Sequence, residues 1–175
     1  MSASLFEDNQ HMEMVHLVLK EMGCKPSVYQ INGGGVVVSS EIEVGGGGMG
    51  TYDFNCVEVN HDELTYLFRT SLGKIDSKIF ISLLTLSNII HGTLFPPGTL
   101  YFSREEESGE CYFLLSFTFL ATGSVHEIYD HIEEYVHRVD EFFVQARWAV
   151  YEVATGGTIV DAINMLSIGE THANA

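Results

Sequence analysis

The sequence predicts an α+β protein in which helices pack against one antiparallel sheet. Apolar segments with helical spacing lie near both ends of the 175-residue chain, and strand-like segments occur in runs between them. Runs of strands set between helices are typical of this class. The predicted order is α-β-β-β-(α)-α-β-β-α. The chain is long enough for one sizeable core, and its hydrophobic content of 46% argues against global disorder.

The first half is predicted to form one helix and a three-stranded antiparallel meander. Between Asn9 and Met22 the apolar residues have helical spacing, and Gly23 followed by Pro26 ends the helix. Strands are predicted for residues 28–31, 36–44 and 51–59. The alternation in the third strand changes phase at Val57, which indicates a bulge or an end of pairing.

The middle of the chain contains two helix candidates and then two strands. Residues 60–71 are predicted as a short helix, because Leu64, Leu67, Phe68 and Leu72 have helical spacing. Residues 77–90 carry a longer apolar stripe behind a capping residue at Asp76 or Ser77. Strands are predicted for residues 100–103 and 111–120, joined by a charged turn at 105–110. The alternating phenylalanines of the second strand predict one strongly apolar face.

The clearest element is a long helix over residues 124–153. Its apolar residues recur every seven positions, at Val125, Ile132, Val139, Ala146 and Val153. Ser124 and Glu127 form a capping box, and Gly156 with Gly157 supplies the stop. We expect this stripe to cover the sheet. The predicted organisation is a flexible lead at 1–8, a single domain at 9–156 and a tail at 157–175, within which residues 158–168 form a short helix.

The composition restricts the classes of partner. The formal net charge is −16, from 8 Lys and Arg against 24 Asp and Glu. This charge should repel nucleic acids and anionic membranes, so neither is a predicted partner. No signal peptide or long apolar span is recognisable. Cys24, Cys56 and Cys111 are widely spaced, which favours reduced thiols in a cytoplasmic protein over a zinc site.

Neither a catalytic motif nor a cofactor motif is recognisable, and no cofactor is predicted. Residues 45–50 are rich in glycine, but Gly50 stands where a phosphate-binding loop needs lysine, and Thr51 opens a strand pattern. A connector between strands is the preferred interpretation. No Gly-x-Ser-x-Gly elbow and no cysteine nucleophile motif is present either. We therefore predict a protein that is not an enzyme.

A metal site is the alternative. Two Glu-x-x-His pairs, Glu13 with His16 and Glu134 with His137, have the i, i+3 spacing of di-iron carboxylate bundles. Such a bundle needs four long helices, whereas this chain devotes its middle to strands. Ordinary i, i+4 pairs on a solvated helix face, such as Glu127 with His131 and Glu133 with His137, explain the same residues. A metal-dependent enzyme or metal-binding protein remains the second hypothesis.

Three residues of the long helix form a candidate protein-interaction site. Val144, Trp148 and Tyr151 are spaced four and three apart, opposite the heptad stripe, and Trp148 is the sole tryptophan. An exposed aromatic patch usually marks an interface. The tail could instead fold back and cover the patch with Ile159, Ile163 and Leu166. A second helical surface could also be shared between subunits, because the helix at residues 77–90 carries apolar residues on more than one side, at Phe80, Ile81, Leu84 and Ile89.

The order and several local patterns resemble the YbjN-like family, named for bacterial sensory transduction regulators, and the type III secretion chaperone-like fold. The resemblance extends over residues 12–153. It rests on residues 86–88, 94 and 97–101, on the turn at 105–109, on the strand at 111–120, and on Ser124 leading to residues 140–142. The segment at 45–50 and the tail after Gly156 depart from the pattern. The resemblance implies a small homodimer without known catalytic residues.

The predicted function follows from this resemblance. The chaperones of this fold are acidic dimers that hold extended segments of a partner along their surface, and the net charge of −16 is compatible with that mode. We expect a homodimeric, chaperone-like or regulatory protein whose partners are its own copy and an unidentified protein or peptide.

Overall fold

The computed structural model describes residues 9–31, 35–43, 51–60, 63–94, 96–120 and 124–172. These residues form helices and strands in the order α1 (Gln10–Glu21), β1 (Ser27–Gln30), β2 (Val36–Glu43), β3 (Thr51–Asn60), β4 (Glu63–Lys74), α2 (Ser77–Thr93), β5 (Thr99–Arg104), β6 (Glu110–Leu120), α3 (Val125–Ala154) and α4 (Ile159–His172). The predicted lead at 1–8 and the glycine-rich segment at 45–50 lie outside the described residues.

All six strands belong to one antiparallel sheet in the order β1-β2-β3-β4-β6-β5. The α+β class and the meander of β1 to β3 are confirmed. A register shift between Glu58 and Asn60 shows the irregularity that the phase change in β3 predicted. The helices cover one face of the sheet, and along β3, β4 and β5 the buried side chains of that face alternate with more exposed side chains of the other. The opposite face carries no helix within the described part of the chain.

The predicted helix at residues 60–71 is wrong, because this segment is the strand β4. Its side chains alternate, with Leu64, Tyr66 and Phe68 buried while Thr65 and Leu67 are partly exposed on the other face. The apolar residues of this segment fit both helical and strand spacing. The segment forms a strand because it pairs with β3 and β6. The observed order is therefore α-β-β-β-β-α-β-β-α-α.

The helix α3 lies over β4, the strand between β3 and β6. The Phe143 ring lies 4.9 Å from that of Tyr52 on β3 and 4.6 Å from that of Phe113 on β6. Two turns earlier, the Tyr135 ring lies 4.5 Å from that of Phe117. One helix thus spans three strands through ring contacts, which contribute beyond their buried area.

Both ends of α3 follow the sequence signals. The Ser124 hydroxyl accepts a hydrogen bond from the Glu127 N–H, and the Glu127 carboxylate accepts one from the Ser124 N–H. Gly156 adopts a φ of 93°, and its N–H donates to the Val153 carbonyl. That left-handed conformation suits glycine and reverses the chain into the tail. The predicted short helix in the tail is observed as α4.

Tyr66 and Tyr52 give a matched pair for testing the core. The Tyr52 hydroxyl donates to Asp140 Oδ1 at 3.1 Å, whereas the buried Tyr66 hydroxyl has no hydrogen-bond partner among the described residues. We expect Tyr52→Phe to lower the free energy of unfolding by about 1 kcal/mol, and Tyr66→Phe to leave it unchanged or raise it by up to about 1 kcal/mol. Urea denaturation measures both changes. A loss above about 1 kcal/mol for Tyr66→Phe would reveal a partner for its hydroxyl.

The three thiols should differ in reactivity. Cys56 and Cys111 are buried, whereas Cys24 is partly exposed in the loop after α1. Burial raises the pKa of Cys111 to about 11 and raises that of Cys56 further still, so both stay protonated at neutral pH. We expect a disulfide reagent at pH 8 to label Cys24 in the folded protein and the other two only after unfolding. Rapid labelling of all three in the native state would contradict this burial.

Candidate protein-interaction site

The three residues predicted as an interaction site lie together on the solvent side of α3. Val144 is 37% exposed, Trp148 62% and Tyr151 39%. Their spacing places them on one face of the helix. We call these three residues the Trp148 patch. The exposure of this side of α3 agrees with the sequence pattern, and the binding role of the patch stays a prediction.

Among the described residues, the C-terminal tail leaves Trp148 62% exposed. The helix α4 folds back against α3 and α2, and its Ala162 and Leu166 are buried in the core that also contains Val150 and Val153. It therefore adds to the buried side of α3, while Trp148 remains the most exposed residue of the patch. Of the two explanations that the sequence left open, coverage by the tail does not occur among the described residues.

The patch rests on a firmly anchored backbone. Ala146, Ala149 and Val150, which neighbour Trp148 along α3, are each 0% exposed. A helix fixed by buried residues on one side holds the side chains of its other side in constant relative positions. The Arg147 guanidinium carbon lies 4.9 Å from the centroid of the Trp148 ring, a cation–π contact. The patch thus combines three apolar side chains with one positive charge.

Charged side chains bound the patch on the preceding turns. His137 Nε2 lies 3.3 Å from the Glu141 carboxylate, and Arg138 contacts Glu134 at 2.5 Å. These side chains are more than half exposed, so the pairs stabilise the helix only weakly. Along this face of α3 the side chains change from charged to apolar, which restricts the Trp148 patch to the C-terminal half of the helix.

The second predicted surface, on α2, is only partly exposed. Ile81 is 63% exposed and Leu84 is 42% exposed. Phe80 and Ile89 instead pack against the core. Single exposed aliphatic residues are normal on a soluble surface, so α2 offers a weaker case for an interface than α3 does.

The structure does not bring the Glu-x-x-His residues together as the metal hypothesis requires. Glu134 pairs with Arg138, and His137 pairs with Glu141. His16 is partly buried, and burial followed by the Lys20 charge lowers its pKa. Across the part of the chain that the structure describes, no group of three or more His, Cys, Asp or Glu side chains is arranged to hold a metal ion. The i, i+4 pairing also differs from the expectation, because His137 pairs with Glu141 rather than with Glu133, and His126 pairs with Asp130.

Sequence reasoning missed a cleft beside β2. It has a volume of about 820 Å³ and is lined by the loop after α1, by residues 39–43 of β2, and by Asp53 and Arg69. The loop carries a recognisable turn signal in Gly23 and Pro26. The cleft itself depends on where β1 stops pairing with β2, which no local pattern specifies.

Comparison with known proteins finds a solved structure with some similarity to this chain. No protein-family model matches the chain, and no curated protein matches it. Among solved structures, the chain is similar to the crystal structure of YbjN from E. coli, described there as a candidate transcription regulator. The match has 6% identity and a TM-score of 0.48, and it covers 78% of this chain and 90% of that chain. YbjN is also the protein for which the family resembled by the sequence is named, and neither a family nor a function is assigned to this chain from the match.

Proposed function

We propose that this chain is a non-enzymatic protein-binding protein that forms a homodimer through the Trp148 patch. The observation that carries the proposal is the 62% exposure of the sole tryptophan on a helix whose other side is buried. Tryptophan and tyrosine are enriched at the energetic centres of interfaces, because they bury a large area with few rotatable bonds. The chain's own tail packs elsewhere, which leaves this area available to a partner.

Self-association suits the chemistry of the patch. In a twofold dimer each patch meets its own copy, so the contacting residues must be compatible with themselves. Val144, Trp148 and Tyr151 carry no charge at neutral pH and meet that condition. Arg147 adds a cation against the Trp148 ring, at the edge of the patch. In a chain of net charge −16, one cation beside the interface reduces the repulsion between subunits.

An additional protein or peptide partner is part of the proposal. The net charge of −16 favours partners with basic segments, because opposite charges attract at long range and form ion pairs at short range. The role is regulatory or chaperone-like binding rather than catalysis. The pairing of the Glu134 and His137 side chains with residues of their own helix supports this preference.

Trp148→Ala tests the dimer. Wild-type protein at micromolar concentration should sediment at about twice 19.4 kDa. We expect Trp148→Ala to weaken the association at least about thirtyfold, which corresponds to roughly 2 kcal/mol for a central aromatic residue. Because Trp148 is mostly exposed in the monomer, the unfolding free energy of a dilute sample should change by less than about 0.5 kcal/mol.

Leu120→Ala is the matched control for this experiment. Leu120 is 65% exposed and lies at the end of β6, on the sheet face opposite the helices. The Leu120→Ala variant should leave the association constant of the dimer unchanged. Equal weakening by both variants, or a wild-type protein that stays monomeric at every concentration, would reject the Trp148 patch as the dimer interface.

Metal analysis separates the proposal from the metal-enzyme alternative. Purified wild-type protein should contain iron, manganese and zinc only at background levels, and the double change Glu134→Gln with His137→Gln should not alter the metal content. Stoichiometric metal that disappears in the double variant would overturn the non-enzymatic assignment, because it would identify these side chains as ligands.

A further inference from the structure

The strand β2 has an unpaired stretch along the cleft. Its register with β1 ends at the pair Ser27 and Ser39. Residues 40–43 continue to pair with β3 on one side, up to Glu43 opposite Thr51. On their other side they have no strand partner among the described residues. Alternate residues of a strand direct their N–H and C=O groups to the same edge, so the groups that this stretch directs to the cleft are without a strand partner in the described part of the chain. The Glu41 carbonyl accepts a hydrogen bond from the Ser40 hydroxyl at 3.2 Å.

The opposite wall of the cleft is held in place by the end of α1. Gly23 has a φ of 83°, its N–H donates to the Lys20 carbonyl, and the Cys24 N–H donates to the Leu19 carbonyl. This pair of hydrogen bonds is a Schellman motif, which fixes the direction of the chain as it leaves a helix. The cleft is therefore bounded by a strand on one side and a constrained loop on the other. Its volume of about 820 Å³ lies in the range of peptide and ligand sites.

The exposed side chains of the β2 stretch are acidic. Glu41 and Glu43 are exposed and project from the same face of the strand, because side chains alternate with a period of two. Asp53, opposite Glu41, accepts hydrogen bonds from Arg69 at 3.1 and 2.8 Å, so its charge is compensated. Lys25 also lines the cleft, but neither Glu41 nor Glu43 makes an ion pair with it or with another described residue. Both carboxylates are thus available to cations at alternate positions of an added strand.

A second copy of this chain is a poor occupant of the cleft. Antiparallel self-pairing of residues 40–43 would set Glu41 and Glu43 of one subunit against those of the other. Like charges that face each other across strands are destabilising. An extended segment with lysine or arginine at alternate positions places opposite charges there instead, and its backbone can satisfy the free edge. Charge complementarity therefore decides between the two occupants.

We propose that the cleft binds an extended basic peptide segment, which adds as a strand along residues 40–43 of β2. The proposal rests on the proposed protein-binding function and identifies the chemistry of its second partner. It uses a surface separate from the Trp148 patch. Loss of the dimer and loss of peptide binding are therefore distinguishable, since Trp148→Ala should leave peptide affinity unchanged.

The probe is a fluorescein-labelled, terminally blocked peptide, Thr-Lys-Val-Lys-Val-Lys-Thr-Gly, measured by fluorescence anisotropy against the full-length protein. We expect saturable binding, and at least about tenfold weaker binding when glutamate replaces the three lysines. A third version carries N-methyl groups on alternate backbone amides, and a fourth carries them on the remaining amides. Only the set that faces β2 should abolish binding, because only that set removes the inter-strand hydrogen bonds.

Two double variants with the same change in net charge complete the test. Glu41→Lys with Glu43→Lys should weaken binding of the lysine peptide at least about tenfold. Glu106→Lys with Glu107→Lys, in the exposed loop between β5 and β6, should change it less than about twofold. Circular dichroism checks that both fold. Equal weakening by both variants, insensitivity to either N-methyl set, or no binding at about 1 mM protein would overturn the proposal.

Discussion

The packing of α3 on the central strands is the interaction on which the other features of this protein depend. Phe143 and Tyr135 contact rings on both sides of β4 and so join three strands to one helix. The helices α1, α2 and α4 in turn contact α3. Because this contact fixes which side of α3 is buried, it also fixes which side carries Trp148 to the solvent. The exposed patch is a geometric result of the core.

The sequence predicts those elements whose local signals agree with their packing. In α3 the capping residue Ser124, the apolar heptads and Gly156 all indicate the same helix, and the exposure of Trp148 follows from its position opposite the stripe. The segment containing Leu64, Leu67 and Phe68 fits two periods, and its neighbours in the sheet decide between them. The β2 cleft depends on how far β1 extends, which is also set by contacts distant in sequence.

The two surfaces divide the binding chemistry of an acidic chain. The Trp148 patch is apolar with one adjacent cation, and it is the proposed contact with a second copy of this acidic chain. The β2 edge presents Glu41 and Glu43, which make no ion pair with a described residue, and it is the proposed site for a basic partner. An acidic protein that assembles with itself needs interfaces of low charge, whereas its net charge attracts basic chains. The fold places the apolar patch on α3 and the acidic edge on β2.

The topology of the sheet has a consequence for synthesis. The strands β1 to β4 are consecutive in sequence, but β4 pairs next with β6, which follows only after α2 and β5. On the ribosome, the first four strands therefore emerge while one edge of β4 and the aromatic face beneath α3 are still uncovered. Such non-local pairings form slowly, and exposed strand edges promote aggregation. In nascent chains this hazard lasts until β6 and α3 have been synthesised.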